Sequence, residues 1–419
     1  MDPVFVAAAI PLFFLLIGVE LLVNVRQGDA RYQLADSITN LSCGIGQQLF
    51  DVFLKLAALA GYSWVYERLR LTTVPVQSVV GWVVLLFGVD LGYYVFHRAS
   101  HRVNLLWATH VVHHQSEEYN LSVALRQSWF YPLFDWVFYL PLAIAGFPPL
   151  MFVAVKTLNI LYQFWIHTRA VGKLGPLEWV LNTPSHHRVH HGIDPKYIDK
   201  NYAGVFIIWD KLFGTFQQEE QEPVYGTVKP LQSWNPLWAN VQAWVELARL
   251  AAKSPRWSDR LRVWFMPPEW RPAALGGTVR IPEVSRAAQR KYDTGQGSPW
   301  AAYVIVSFVT VVLGTTGFIL AQQRAAVSTL VVAGIPLLAA LATWGAMFEG
   351  RRWAIPVELM RLAAGAAVIL WLAEGTSWFP IAAPVALVLS AAMGIWAVSG
   401  SRLQELPVVS GRQRRGGSA

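Results

Sequence analysis

Residues 79–101 read Val79-Val-Gly-Trp-Val-Val-Leu-Leu-Phe-Gly-Val-Asp90-Leu-Gly-Tyr-Tyr-Val-Phe-His97-Arg-Ala-Ser-His101, and this stretch decides the fold class. From 76 to 96 Asp90 is the only charge, and about twenty apolar residues in a helix are long enough to cross a hydrocarbon core. A buried strand would be far shorter. The run ends in two histidines four positions apart, a spacing that puts both on one helical face. The stretch therefore reads as a membrane-spanning helix that delivers paired imidazoles to a bilayer surface.

Working outward, similar runs occupy 4–23, 41–63, 129–146, 149–166, 300–321, 327–348, 355–373 and 378–398, giving nine spans in an all-α membrane protein. The fourth and fifth form a hairpin around Gly146-Phe147-Pro148-Pro149, where proline fixes φ and removes a donor. Composition agrees: 54% of residues are hydrophobic and 14% charged, about half the charged share of a soluble domain. The 20 Trp and 14 Tyr suit interfacial anchoring. No basic segment or A-x-A site accompanies 4–23, so it is expected to be a retained anchor.

A net charge of +8 raises the question of nucleic acid. Its distribution answers against it: the stretch Arg249–Lys291 and the tail residues Arg412, Arg414 and Arg415 flank apolar spans, where the positive-inside rule places basic side chains, and no nucleic-acid motif accompanies them. With Arg26, Arg31, Arg351 and Arg352 on the same face, the expected orientation is N-out and C-in. His97 and His167, at the ends of the third and fifth spans, then emerge on the cytoplasmic face. Segment 265–298, with Pro267-Pro268, Pro272, Gly276-Gly277 and Pro282, reads as a linker between a catalytic part, 1–264, and a four-span part, 299–400, followed by a basic tail, 401–419. Cys43 is the only cysteine, which excludes an internal disulfide, a CxxC redox pair and a Cys-ligated cluster.

All ten histidines fall between His97 and His191. His97 and His101 form one box. His110, His113 and His114 form a second at i, i+3 and i+4, and His187, His190 and His191 repeat that spacing, with His186 four before His190. A lone buried histidine is usually a hydrogen-bonded core residue. Eight imidazoles in three helical boxes beside a bilayer are costly to bury without a partner, so they are expected to bind metal. Their number exceeds the four ligands of a structural zinc site and implies two metals. Imidazole ligation suits zinc, copper, iron and nickel alike; a nitrogen-rich two-metal site on a lipid-facing enzyme points to iron and oxygen chemistry. Metal transport would need polar groups within several spans, and a bis-His haem would need only an axial pair.

Other residues carry two readings each. Asp90, two helical turns before His97, would accept the second ring N–H of a ligand. Glu117, Glu118 and Asp194 would do the same or sit in solvated loops. Arg126 and Lys200 would hold a polar headgroup or anionic cofactor, or else face lipid phosphate. Tyr93, Tyr94, Tyr202 and Trp209 would line a lipid slot or anchor the interface. Ser185 beside His186 is not a nucleophile–base pair, because adjacent helical residues point apart. No motif for a flavin, nicotinamide or iron–sulfur group is present, so electrons must come from an external donor.

Four further stretches narrow the reading: Tyr119-Asn-Leu-Ser-Val-Ala-Leu-Arg-Gln-Ser128, Asn182-Thr-Pro-Ser-His-His-Arg-Val-His-His-Gly192, Tyr197-Ile-Asp-Lys-Asn-Tyr202 and Ile208-Trp-Asp-Lys-Leu-Phe-Gly-Thr-Phe216. With the three boxes, they resemble the alkylglycerol monooxygenase family within the fatty acid hydroxylase/sterol desaturase superfamily of membrane di-iron enzymes. The resemblance covers roughly 90–235 by motif, and the C-terminal third carries none. It implies two irons per chain, O₂, a tetrahydrobiopterin reductant and a membrane ether lipid hydroxylated beside its ether oxygen, so that a hemiacetal collapses to fatty aldehyde and glycerol. By position it implies metal ligation and catalysis by His97, His101, His110, His113, His114, His187, His190 and His191, with His167 and His186 as further candidates. Hydroxylation or desaturation of a sterol, fatty acid or carotenoid is the alternative within the superfamily. One departure stands out: the family's first box is typically followed by Glu, and here that position is Arg102.

Overall fold

The computed structural model describes residues 3–29, 31–295 and 297–404, so the tail from 405 lies outside the described residues. The helices are α1 (Pro3–Gln27), α2 (Leu34–Leu69), α3 (Val79–Arg102), α4 (Asn104–His114), α5 (Leu140–Ala145), α6 (Pro149–Trp165) and α7 (Pro184–His190). They continue with α8 (Ile208–Leu212), α9 (Pro236–Lys253), α10 (Trp257–Phe265), α11 (Gly297–Ala321), α12 (Val327–Phe348), α13 (Ala354–Ala373) and α14 (Phe379–Gln404). Among the described residues, β pairing is limited to two isolated bridges, Leu181 with Phe206 and Gly192 with Tyr225.

Seven helices are long and apolar enough to cross a membrane: α1, α2, α3 and α11 to α14. The two remaining expected spans are built differently. Segment 129–146 is broken into 3-10 turns at Tyr131–Leu133 and Asp135–Tyr139 before α5, and α6 has only 17 residues. Prolines in the first turn of successive pieces (Pro132, Pro141) interrupt the backbone ladder. In place of a regular helix surface, this segment packs its tryptophans into α2. The Trp129 ring lies 2.3 Å from where a Cβ on Gly46 would stand, so only glycine fits there. Gly146 then ends α5 with φ 98°, the left-handed cap that glycine adopts without strain.

The tip of this hairpin packs against the loop that joins α2 to α3. Leu71 N donates to the Ile144 carbonyl (2.8 Å), and Val74 N to that of Gly146 (2.9 Å). That loop lies at the end of α3 remote from His97. The hairpin therefore runs the length of α3 from the histidine end, and α6 returns to it.

The C-terminal helices are not a detached unit. Trp300, Tyr303 and Trp344 share a buried core with Ala35, Ile38, Trp129 and Trp234. Glu349, after α12, accepts from Ser233 Oγ (2.6 Å) and Trp234 N (2.7 Å). Within the bundle, fully buried Glu358 accepts from Thr343 Oγ1 (2.7 Å), Tyr303 and Arg361, so this intramembrane charge is paired. Segment 265–298, expected as a linker, is tied across the histidine face: Glu117 accepts from Tyr292 N (2.6 Å), Lys291 pairs with Glu118 (2.6 Å), and Gln289 donates to the Tyr225 carbonyl (2.9 Å).

Candidate metal centre

Nine of the ten histidines converge at the C-terminal ends of α3, α4 and α7 and just beyond α6. They sort into two groups, each with donor nitrogens within 4.8 Å of one another: His97, His101, His110, His114 and His190, then His113, His167, His187 and His191. All nine are buried. The second and third boxes thus do not each aim at one point; they divide. Successive helical residues are rotated by about 100°, so His113 and His114 splay apart, as do His190 and His191. The groups are adjacent, with ring centroids 4.4 Å apart for His114 and His191 and 5.1 Å for His187 and His190.

The backbone fixes which nitrogen is free. Four Nδ1 atoms donate to carbonyl oxygens: His97 to Tyr202 (2.7 Å), His113 to Arg126 (3.0 Å), His167 to Gln163 (2.7 Å) and His190 to Lys200 (3.0 Å). Since a carbonyl only accepts, each Nδ1 carries the proton and each Nε2 presents a lone pair. Yet His113 Nε2 and His167 Nε2 stand 3.1 Å apart, with no proton to place between them. Two nitrogens held at right angles about 2.1 Å from one metal lie roughly 3.0 Å apart, so the spacing is that of co-ligands. Buried Nε2 atoms without partners on His101, His190 and His191 fit the same reading. Burial holds His113 down at about 4 and, with repulsion among neighbouring rings, pushes His110, His114, His167, His187, His190 and His191 well below the usual imidazole range. Neutral imidazoles are the form that binds metal. The donor set fits a metal-binding site.

His167, isolated in the sequence, joins the second group because α6 ends at Trp165 beside α7. His186 joins neither; its ring edges against Phe216, with centroids 5.4 Å apart. Ser185 Oγ is buried and without a partner.

Asp90 does not receive a ligand N–H. Its carboxylate accepts from Val205 N (2.7 Å), Phe206 N (2.9 Å), Trp209 Nε1 (3.0 Å) and Asn159 Nδ2 (2.7 Å). Two turns separate it from His97 by roughly 10 Å along the axis, beyond side-chain reach. It instead pins the loop whose Tyr202 carbonyl orients His97. Asp90→Ala strands these buried donors at about 1–3 kcal/mol each. It is expected to lower both the melting temperature and the metal content; a full metal complement would show that the loop holds without it.

Arg126 is buried structure, not a headgroup site. It donates to the Val112 carbonyl (2.7 Å), Asn40 Oδ1 (3.0 Å) and Gln115 Oε1 (3.0 Å). Lys200 contributes its carbonyl to His190. Asp194 accepts from Val224 N (2.8 Å), and Tyr94 hydrogen-bonds Thr215 (2.9 Å). Tyr93 packs against His97, with ring centroids 5.1 Å apart.

A cavity of about 650 Å³ opens beside the first group. His101, His114, His190 and His191 form its floor, while Trp107, Val111, Ala243, Leu247, Leu250 and Ile281 supply apolar wall. Its rim holds Arg102, Lys229, Arg249, Lys253, Arg271 and Arg280. The volume lies within the usual range for small-molecule pockets. The α9 wall was not singled out from the sequence, although α9 shows an amphipathic pattern.

The fatty acid hydroxylase family model matches residues 82–215, which contain the whole histidine constellation. The alkylglycerol monooxygenase of Xenopus tropicalis is 37% identical over 361 residues, 86% of this chain and 80% of the relative. That of Homo sapiens is 40% identical over 309 residues, 73% of this chain and 69% of the relative. That of Danio rerio is 37% identical over 362 residues, 86% and 81% of the two chains. No solved structure matches the chain.

Proposed function

Because the chain belongs to the alkylglycerol monooxygenase family, we propose that it binds two irons and hydroxylates the carbon beside the ether oxygen of an alkylglycerol-type lipid. It is a multi-pass membrane enzyme and a lipid-hydroxylating monooxygenase of the fatty acid hydroxylase superfamily. The observation that carries the finer reading is the division of nine imidazoles into groups of five and four beside one apolar cavity.

His97, His101, His110, His114 and His190 would hold one metal and His113, His167, His187 and His191 the other. The chemistry that iron supplies when bound there is reductive activation of O₂ for insertion into a C–H bond. The protein's own part is positional. Backbone carbonyls of Tyr202, Arg126, Gln163 and Lys200 fix four rings with Nε2 inward, as outer hydrogen bonds do in metal sites. The apolar wall takes the alkyl chain, limits water and holds the target carbon over His101 and His190. The balance is one O₂, two electrons and two protons for one hydroxyl and one water. The hydroxylated ether is a hemiacetal, whose C–O bond breaks to give fatty aldehyde and glycerol. A tetrahydropterin such as tetrahydrobiopterin, or another external reductant, supplies the electrons, in keeping with the lack of any flavin, nicotinamide or iron–sulfur motif.

We place the histidine face on the cytoplasmic side, with nine crossings. The hairpin's docking at the far loop supports full-depth passage of 129–166, and the rim cations are distributed as cytoplasmic interfaces require. Residues 1–264 are then the catalytic part, joined through 265–298 to a buttress of four helices at 299–400.

Supplied with a 1-O-alkylglycerol, O₂ and tetrahydropterin, the iron-loaded protein is expected to release one fatty aldehyde per lipid consumed. A retained hydroxyl or a new double bond would move the substrate to the sterol, fatty acid or carotenoid branch.

A further inference from the structure

Arg102 directly follows the first histidine box, and its surroundings give it a use. The Arg102 guanidinium pairs with Asp199 Oδ2 and lies 3.6 Å from Glu269 on the segment that crosses the cavity. The other oxygen, Asp199 Oδ1, stands 3.7 Å from His101 Nδ1. On the opposite side of that ring, His101 Nε2 is buried and has no partner. His97, His113, His167 and His190 each rest Nδ1 on a backbone carbonyl, whereas His101 faces a side-chain carboxylate.

Asp199 is held there at a conformational cost. Its φ is 59° and that of Asn201 is 54°, both in the left-handed region that most side chains avoid. Asn201 fixes the turn by donating to the Gln217 carbonyl (2.7 Å) and accepting from Gln217 N (2.8 Å). The chain after it is anchored as Tyr202 N and Ala203 N donate to Asp210 (2.8 Å each). The strained turn thus has rigid support on its C-terminal side, where the Tyr202 carbonyl also orients His97.

We infer that Asp199 is a positioning residue for the first metal group: its carboxylate, steered by Arg102, orients His101 and strengthens its hold on metal. The 3.7 Å gap exceeds a hydrogen bond, so at this distance the carboxylate acts on the ring through its charge. Carboxylate contacts to a ligand's second ring nitrogen raise its basicity and fix its tautomer. Arg102 alone would repel a dication beside His101. Arg102, Asp199 and Glu269 together sum to one negative charge, so the arginine is offset and serves to aim the carboxylate.

This inference rests on the two-metal reading, and the experiment separates the two. Metal content and chelator competition are measured on the full-length wild type, Asp199→Asn and Asp199→Glu. Asparagine keeps the shape and tolerates the left-handed turn but loses the charge. The wild type should hold two metals. D199N should bind one of them about 10- to 100-fold more weakly while the other is unchanged. D199E keeps the charge on a longer side chain that fits the left-handed turn less readily, and should hold that metal more tightly than D199N. Equal affinity of D199N and wild type at both sites overturns the inference, as does equal weakening of D199N and D199E, which would leave Asp199 a purely structural role. A wild type with no metal would instead remove the reading beneath it.

Discussion

Replacing His190 with alanine is expected to abolish turnover and to release one metal, and replacing His113 is expected to do the same at the other group. His190 sits among His97, His101 and His114, with ring centroids 4.3, 4.8 and 4.8 Å away, and its Nδ1 is fixed by the Lys200 carbonyl. It also forms part of the cavity floor, so its loss removes a donor at the point where substrate would lie. Outer partners of metal sites cost about 10- to 100-fold when removed; loss of a direct ligand should exceed that range. His113 is the corresponding case in the second group, 3.1 Å from His167 through their Nε2 atoms. The discriminating control is His186→Ala. That residue is equally buried and belongs to the same sequence box, yet lies outside both groups. It should keep both metals and most of its activity. Activity retained by H190A and H113A would remove these histidines from the chemistry.

The second large effect is expected at Arg126. Its guanidinium joins α2 through Asn40, α4 through the Val112 carbonyl, and Gln115 beyond α4, while its own carbonyl receives His113 Nδ1. Hydrogen bonds to charged groups contribute about 1.5–3 kcal/mol each, and Arg126→Met leaves Asn40 Oδ1 and Gln115 Oε1 buried without a donor. Allowing for non-additivity, destabilisation of at least about 3 kcal/mol is expected, near the loss seen when one partner of a buried charged pair is removed. Because the same residue orients His113, metal at the second group should loosen in parallel. Arg126→Lys keeps the charge without the planar fork and should fall between the two. Thermal melts and metal analysis of the three proteins test this; an R126M protein with native melting and both metals would show the arginine to be dispensable.

The histidine spacing was legible because helical geometry acts over three or four residues, and the candidate ligands come in such pairs. The division of each box between two groups was not, since it depends on how α4 and α7 face one another. His167 could be named as a candidate, but its partners lie 54 and 20 positions away in the chain. Asp90 stood out as an intramembrane acid and was expected to accept a ring N–H from His97; its actual partners at 159 and 205–209 were invisible to a periodicity argument. Arg126 shows the converse limit. A charge near an interface reads as lipid-facing until three distant acceptors are found around it.

The membrane helices divided in a similar way. Long uninterrupted runs such as 79–102 and 327–348 announced themselves through hydropathy. Segment 129–146 is as apolar, but its prolines and its tryptophans seated on α2 give short 3-10 turns. Proline and glycine in 265–298 signalled a loss of helix, and sequence alone gave no sign that the loop would be tied across the site. A loop's destination is set by long-range pairs such as Lys291 with Glu118.

The most direct test of the central claim is a metal count on anaerobically purified, iron-loaded protein, with Mössbauer spectroscopy to establish the environment. Two irons per chain in nitrogen-rich sites, falling to one in both His190→Ala and His113→Ala, is the predicted result. A single iron, or a stoichiometry that neither substitution changes, would contradict a centre built from these two histidine groups.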